Sequence, residues 1–132
     1  MIALSLTLDD LLFLHEESEL DRTAVVFRER QASYRELIAE VEILAGRLLT
    51  LGVQRGDRVV VHLAKSCEEI VAMFACWRIG AVAVNVNVQW TLAQLDYVLE
   101  DSGARVLLAD ARRASEIAAG GLRKPERVIV KG

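Results

Sequence analysis

Residues 51–90 read LGVQRGDRVVVHLAKSCEEIVAMFACWRIGAVAVNVNVQW, and this stretch predicts a strand, a helix and a second strand. The first strand, residues 58–63, is a β-branched run that follows a Gly-Asp turn, and the second, residues 81–86, begins directly after Gly80. Both runs are too uniformly apolar for a strand that has one face in water. They therefore predict a βαβ crossover within an open, mainly parallel sheet that helices cover on both faces.

The helix between these two strands has a signal at each end. Ser66 is placed to cap its first turn while the Glu69 side chain reaches back to the Ser66 amide, and Gly80 supplies the left-handed residue that ends it. Its apolar side chains are Ile70, Val71, Met73, Phe74 and Trp77. We interpret Phe74 and Trp77 as core residues and not as cofactor contacts.

Composition restricts the class of protein. The chain has 132 residues, 53% of them hydrophobic, and a net charge of -3. These values predict one folded domain and argue against nucleic acid and anionic membranes as partners. No run approaches the roughly 18 apolar residues of a membrane span, and the N-terminus lacks the features of a signal peptide. We therefore expect a cytoplasmic chain.

The two cysteines also fit a cytoplasmic chain. Cys67 and Cys76 lie in one predicted helix, about 13 Å apart along its axis. A disulfide needs Cα atoms within about 7 Å. Both residues should therefore be reduced thiols.

The N-terminal residues predict a helix. Thr7 followed by Asp9 and Asp10 is typical of a helix start, and we expect this helix to run to about Ser18. Its expected apolar stripe comprises Leu8, Leu11, Leu12 and His15, with Leu4 and Leu6 in the same contact.

A hairpin and a long helix should follow a turn at Asp21-Arg22. Residues 24–27 and 31–33 predict two short strands, joined by the polar residues 28–30. Ser33 and Glu36 then form a capping box that opens an amphipathic helix. Its apolar positions are Leu37, Val41, Leu44, Leu48 and Leu51, and Gly52 closes it with Val53 in an apolar contact.

The elements expected after the central unit alternate between helix and strand. The first is a helix that the capping box of Thr91 and Gln94 opens and Gly103 ends, and a strand at 105–109 follows it. A polar helix then runs from Asp110 to about Ala118, where the Gly120-Gly121 pair ends it. The last element is a strand at 126–130.

Ligands of open parallel sheets bind at the carboxyl ends of the strands. Here those ends are the loops 64–66, 87–90 and 110–112, none of which is glycine-rich. Lys65-Ser66 lacks the glycines of a phosphate-binding loop, so we interpret Ser66 as a helix cap and Lys65 as a solvated strand end. Trp90 is the one aromatic residue in such a loop, where a binding role is an alternative.

The remaining polar residues form no convincing site. His15 and His62 lack a third metal ligand, and we interpret them as structural or surface histidines. The acidic pairs at 9–10, 16–17 and 68–69 point in different directions on a helix and are interpreted as solvated turns. Cys67 lies at a helix N-terminus, but no general base is identifiable beside it. The residues alone predict a soluble α/β domain with no complete site.

Five segments resemble the opening of the AMP-forming adenylating superfamily, which includes acyl-CoA synthetases, luciferases and peptide-synthetase adenylation domains. They are TAVVF at 23–27, ASYREL at 32–37, LGVQRGDRVVV at 51–61, WRIGAVAVNVN at 77–87 and YVLEDSGARVL at 97–107. Each motif is weak alone, but the five occur in the family's order and spacing. The resemblance spans about residues 7–110.

The chain also departs from that family's pattern. Family members tend to have a proline at the position of Ala64, an aromatic residue at that of Ala83, and prolines at those of Asn85 and Val88. Because proline fixes φ and restricts the preceding residue, we expect the loop after the second central strand to be less rigid here.

Sites known in the family are not matched. In the family a Ser/Thr/Gly-rich loop ending in Pro-Lys-Gly holds the ATP phosphates, later motifs bind adenine and ribose, and a C-terminal domain carries a catalytic lysine. The resemblance implies that residues 1–132 are one domain, an incomplete N-terminal portion of the large domain of an acyl-CoA ligase. It implies no catalytic, cofactor-binding or metal residue in this chain, and ATP, Mg and coenzyme A as cofactors of the full-length enzyme.

Three hypotheses follow from these observations. The chain is a silent N-terminal part of an AMP-forming ligase, a complete small binding or regulatory module, or an unrelated nucleotide-binding domain. Under the first, its partner is the rest of the ligase, and the isolated chain should form a homo-oligomer through unpaired strand edges.

Overall fold

A computed structural model of the chain describes residues 6–120 and 125–130. Five helices and six strands lie in these ranges, with a single 3₁₀ turn at Glu17–Glu19. The helices are α1 (Asp10–Phe13), α2 (Tyr34–Thr50), α3 (Cys67–Arg78), α4 (Leu92–Ser102) and α5 (Ala111–Gly120). The strands are β1 (Thr23–Phe27), β2 (Arg30–Ser33), β3 (Arg58–His62), β4 (Val82–Asn85), β5 (Val106–Ala109) and β6 (Arg127–Val130). None of the helices is long and apolar enough to cross a membrane in the ranges described.

The strands form two sheets. β1 and β2 make a separate antiparallel hairpin, whereas β3 to β6 make a parallel sheet with the order β4-β3-β5-β6. At its centre Val60 lies opposite both Val84 and Leu107. The predicted parallel sheet with an N-terminal hairpin is confirmed.

Helices cover both faces of the parallel sheet, as predicted. Val59 and Val61 of β3 belong to a buried cluster with Leu48 of α2 and other residues of α2 and α3. Val60 points the other way and packs in a second cluster with Leu95 of α4. We call these the α2/α3 face and the α4/α5 face.

One strand of the central unit is less covered than its sequence indicates. β3 is buried from Val59 to His62, but β4 lies at a sheet edge, where Val82 is 47% exposed and Asn85 is also exposed. The prediction that both strands lack a wet face was therefore wrong for β4. A pattern of apolar residues reports burial but not strand order, and strand order decides which strand is at the edge.

The ends of α2 follow the predicted capping chemistry. The Ser33 side chain accepts from the Glu36 amide, and the Glu36 carboxylate accepts from the Ser33 amide, which completes the capping box. At the other end the Val53 amide donates to Leu48 O (3.1 Å) and the Gly52 amide to Leu49 O (3.0 Å). These two bonds form a Schellman motif, in which Gly52 has the positive φ of 87°.

The N-terminal helix is much shorter than predicted. α1 contains only Asp10–Phe13, and Thr7 does not cap it, because its amide and hydroxyl donate to the carboxylates of Asp10 and Asp9. The His15 ring lies 3.0 Å from Leu11 O, the carbonyl that the His15 amide would occupy in a continued helix. The apolar stripe was also wrong. Leu12 is buried, but Leu6, Leu8 and Leu11 are exposed; Leu4 lies outside the described residues.

The hairpin connection is one residue tighter than predicted. Arg28 and Glu29 alone join β1 to β2, with Arg28 at a φ of 55°. Arg30 belongs to β2, where its guanidinium forms ion pairs with Glu40 of α2 and Glu68 of α3. Arg30 therefore ties the hairpin to both helices and is not a solvated turn residue.

The C-terminal elements agree broadly with prediction. The Asp110 side chain accepts from the Arg113 amide at 2.8 Å, so Asp110 caps α5 as expected. Gly120 is the last residue of α5 and not part of a break, and Gly121 lies outside the described residues. β6 starts one residue later than the predicted strand.

Candidate functional site

The direction of the connections reverses between β3 and β5, and we call the region between the carboxyl ends of these two strands the crevice. The chain leaves β3 towards β4 through α3 on one face, and leaves β5 towards β6 through α5 on the other. Connections that diverge from neighbouring parallel strands open the position where such sheets bind ligands. The loops predicted to surround a site, 64–66, 87–90 and 110–112, all lie at this edge.

Ser66 is the helix cap of α3, as predicted. Its hydroxyl oxygen accepts from the Glu69 amide (3.2 Å), and its O–H donates to Ala64 O (2.9 Å). The predicted return bond from the Glu69 side chain to the Ser66 amide is not formed among the described residues. Ser66 has a φ of -170°, whereas Ser33 and Thr91, which form complete boxes, have φ values of -76° and -68°. This φ turns the Ser66 amide away from the first turn of α3.

His62 lies beneath the crevice on the α4/α5 face. Its side chain is 1% exposed, and neither ring nitrogen has a hydrogen-bond partner among the described residues. Burial lowers the pKa of His62, and the nearby Arg113 guanidinium lowers it further. The residue is therefore a neutral, structural histidine, in agreement with its interpretation from the sequence. The described residues contain no group of three or more side chains that could hold a metal ion.

Arg113 is the polar residue of this region that sequence reasoning missed. It is 7% exposed, and its Nη2 donates to the carbonyl oxygens of Val88 (3.2 Å) and Trp90 (2.7 Å). Its Nη1 lies 2.8 Å from the Glu116 carboxylate. The sequence contains a signal for the burial of Arg113. Arg113 and the partly buried Ile117 are four residues apart and so share one face of α5.

The other candidates are structural in this arrangement. Cys67 and Cys76 are free thiols, as predicted, and both are buried; burial raises the pKa of Cys76 to about 12. Asp9, expected in a solvated turn, is 6% exposed and lies 3.3 Å from Arg78. Phe74 and Trp77 form an edge-to-face pair with ring centroids 5.1 Å apart.

An apolar groove opens on the opposite, α2/α3 face. It has a volume of about 290 Å³. Its lining includes Ile43, Leu44, Leu63, Val71, Leu108 and Ile129, with Glu40, Arg47 and Glu68 among them. Ile43 is 66% exposed at this groove, which makes the groove a candidate contact surface. We call it the α2/α3 groove.

Comparison with known proteins identifies the family of the chain. The family model described as AMP-binding enzyme matches residues 14–131, which is most of the chain. The chain belongs to the AMP-binding enzyme family. The fold of the chain is that of the N-terminal subdomain of acyl-CoA synthetase-like enzymes.

Acyl-CoA ligases are among its relatives within the family. The chain is 38% identical over 114 residues to the 3-hydroxybenzoate–CoA/4-hydroxybenzoate–CoA ligase of Thauera aromatica, covering 85% of this chain and 22% of that protein. It is also 38% identical to the acetyl-coenzyme A synthetase of Cupriavidus metallidurans, covering 83% and 17% respectively. The chain thus spans about a fifth of the length of these relatives.

A solved structure also matches the chain. The anthranilate CoA ligase AuaEII, crystallised with anthranoyl-AMP, superposes with a TM-score of 0.89 at 26% identity. The match covers 99% of this chain and 26% of that one. The whole described fold therefore aligns with about a quarter of that ligase.

Proposed function

We propose that this chain is the N-terminal structural part of an AMP-forming carboxylate–CoA ligase and is catalytically silent by itself. The observation that carries the proposal is the family match over residues 14–131 combined with coverage of about a fifth of ligase relatives. In the whole enzyme ATP would activate a carboxylate as an acyl-adenylate, which passes to coenzyme A. ATP, Mg²⁺ and coenzyme A would then bind outside these residues.

The side chains at the crevice support catalytic silence. A nucleophile needs an adjacent base, and an adenylate-forming site needs donors for phosphate oxygens. The cysteines are buried, the Ser66 hydroxyl is occupied by backbone groups, and the Arg113 guanidinium is directed to two carbonyls and a carboxylate. The role assigned to these residues is to hold the scaffold. A cytoplasmic location stays a prediction.

The α2/α3 groove is the surface we assign to contact with the rest of the ligase. It combines the exposed Ile43 and the partly buried Leu44 with a charged rim at Glu40 and Arg47. An apolar floor with a polar rim is typical of a surface that another protein segment covers.

Pyrophosphate exchange tests the silence of the isolated chain. Incubated with ATP, Mg²⁺, labelled pyrophosphate and a panel of aromatic and fatty acids, the chain should give no exchange above a protein-free blank. The intact Thauera aromatica ligase with 3-hydroxybenzoate is the positive control. Acid-dependent exchange by this chain would contradict the proposal.

A chimaera tests the ligase assignment itself. Residues 14–131 replace the matched segment of the Thauera aromatica ligase, and the control is that ligase with the segment deleted. We expect the chimaera to form hydroxybenzoyl-AMP and to keep the acid preference of its host. A chimaera that folds as well as its host but forms no adenylate would show that this chain cannot serve as the N-terminal part.

A further inference from the structure

Arg113 joins two elements that the sheet keeps apart. It lies in the first turn of α5, after β5, and its Nη2 reaches the Val88 and Trp90 carbonyls in the loop between β4 and α4. Because β3 lies between β4 and β5, the guanidinium spans the carboxyl end of β3. Capping of the Arg113 amide by Asp110 fixes the position from which the side chain reaches across.

The loop has few other restraints towards α5. Asn87 organises a local turn, since its side chain accepts from the Gln89 amide (2.8 Å) and its carbonyl from the Trp90 amide (3.1 Å). These bonds lie within the loop itself. Within the described part of the chain, Arg113 supplies the hydrogen bonds that connect the loop to α5.

The chemistry of the contact requires arginine. One planar guanidinium donates to two backbone carbonyls and faces the Glu116 carboxylate at the same time. Glu116 remains 40% exposed, so the ion pair is solvated on one side while the guanidinium is buried. A lysine ammonium carries its three donors on one nitrogen at the end of a side chain one bond shorter, so it cannot reproduce the fork of Nη1 and Nη2.

We propose that Arg113 is a positioning residue that sets the conformation of residues 87–90, and with it one wall of the crevice, while contributing little to the core. The side chain acts on the loop through backbone carbonyls. The proposal concerns a loop of this chain and is independent of ligase activity.

Hydrogen exchange measured by mass spectrometry tests the proposal. In Arg113→Met, exchange of the Gln89, Trp90 and Thr91 amides should accelerate about tenfold, as expected when a loop loses the bonds that hold it closed. Peptides from β3 and α2 should be unchanged. Arg113→Lys should behave like Arg113→Met, since the fork is lost while the charge is kept.

Arg112→Met is the matched control. It removes the same charge from the neighbouring residue, whose side chain is 73% exposed and lies 4.0 Å from Glu116. In Arg112→Met, the amides of the loop at residues 87–90 should exchange at the same rate as in the parent chain.

A rescue variant separates positioning from charge. The Val88 amide donates no hydrogen bond among the described residues, so proline at this position removes no hydrogen bond. Adding Val88→Pro to Arg113→Met should restore at least half of the lost protection, because the ring restrains the loop directly.

Four results would overturn the proposal. They are parent-like loop exchange in Arg113→Met, parent-like exchange in Arg113→Lys, an equal acceleration in Arg112→Met, and acceleration spread evenly over all peptides. An Arg113→Met chain that does not fold would also overturn it, since the side chain would then hold the core and not one loop.

Discussion

At the scale of single residues, His62 couples the sheet to pH. The unfolded chain should bind a proton at this imidazole with a pKa near 6.5, whereas burial and the Arg113 charge lower the pKa in the folded chain. Between those two pKa values the unfolded state binds more protons than the folded state. The free energy of unfolding therefore decreases as pH falls through about 6.5, and the loss ends once the pH is below the folded pKa.

Urea denaturation of His62→Gln at pH 7.5 and pH 5.5 checks this dependence. The parent should lose stability across that interval relative to the variant, by at most about 1.4 kcal/mol per pH unit, the slope of one proton. His15→Gln is the control and should keep the parental loss, since it retains His62. Identical pH dependence in parent and His62→Gln would show that the buried ring does not titrate in this interval.

At the scale of elements, helix ends follow one chemistry. α3 repeats the Schellman motif of α2, with the Ala81 amide on Cys76 O (2.9 Å) and the Gly80 amide on Trp77 O (3.1 Å). Gly52, Gly80 and Gly103 follow helices at φ values of 87°, 74° and 68°. A side chain with a Cβ is strained at these angles.

A comparison of alanine substitutions at Gly52 and Gly46 tests the assignment of Gly52 as a helix cap. Gly52→Ala should cost about 1 kcal/mol of unfolding free energy, although no atom lies within 4 Å of the added Cβ. Gly46→Ala, inside α2 and equally free of contacts, should instead stabilise the chain by up to about 1 kcal/mol. Thermal melts that rank the two variants equally would contradict the assignment of Gly52 as a left-handed cap.

Elements were predictable where a local signal and an apolar period agree. α2 and α4 have complete capping boxes, and their starts were predicted to the residue. The segment around α1 has the apolar residues of a longer helix, but the Asp9 and Asp10 side chains accept hydrogen bonds from Thr7. Most of its leucines are exposed, so the core does not stabilise a longer helix. The long-range contacts of Asp9 with Arg78 and of Arg113 with the loop could not be predicted, since both join segments distant in sequence.

At the scale of the whole molecule, β4 presents an unpaired edge. The amides of Val82 and Val86 donate to β3 and its preceding turn, so the alternation of a strand turns those of Ala83 and Asn85 outward. Such edges pair with other edges unless charge or proline protects them. We expect the isolated chain to form a homodimer or larger assembly at micromolar concentration.

Sedimentation velocity across a dilution series measures this association. Val82→Lys places a charge on the exposed edge and should shift the chain towards monomer. Tyr97→Lys, at a more exposed position on α4, should not. A parent chain that is strictly monomeric at high concentration would show that its surface is self-contained.

The position of β3 has a consequence for synthesis on the ribosome. Val59 pairs on one side with Ala83 and on the other with Val106. The central strand β3 is therefore the first of its sheet to emerge and receives its second neighbour late. At about 5–20 residues per second, the segment from β4 to β5 takes a second or more to be translated. During that delay the run of three valines in β3 has one open side. Slowing translation after residue 85 should therefore increase aggregation, and slowing it before residue 58 should not.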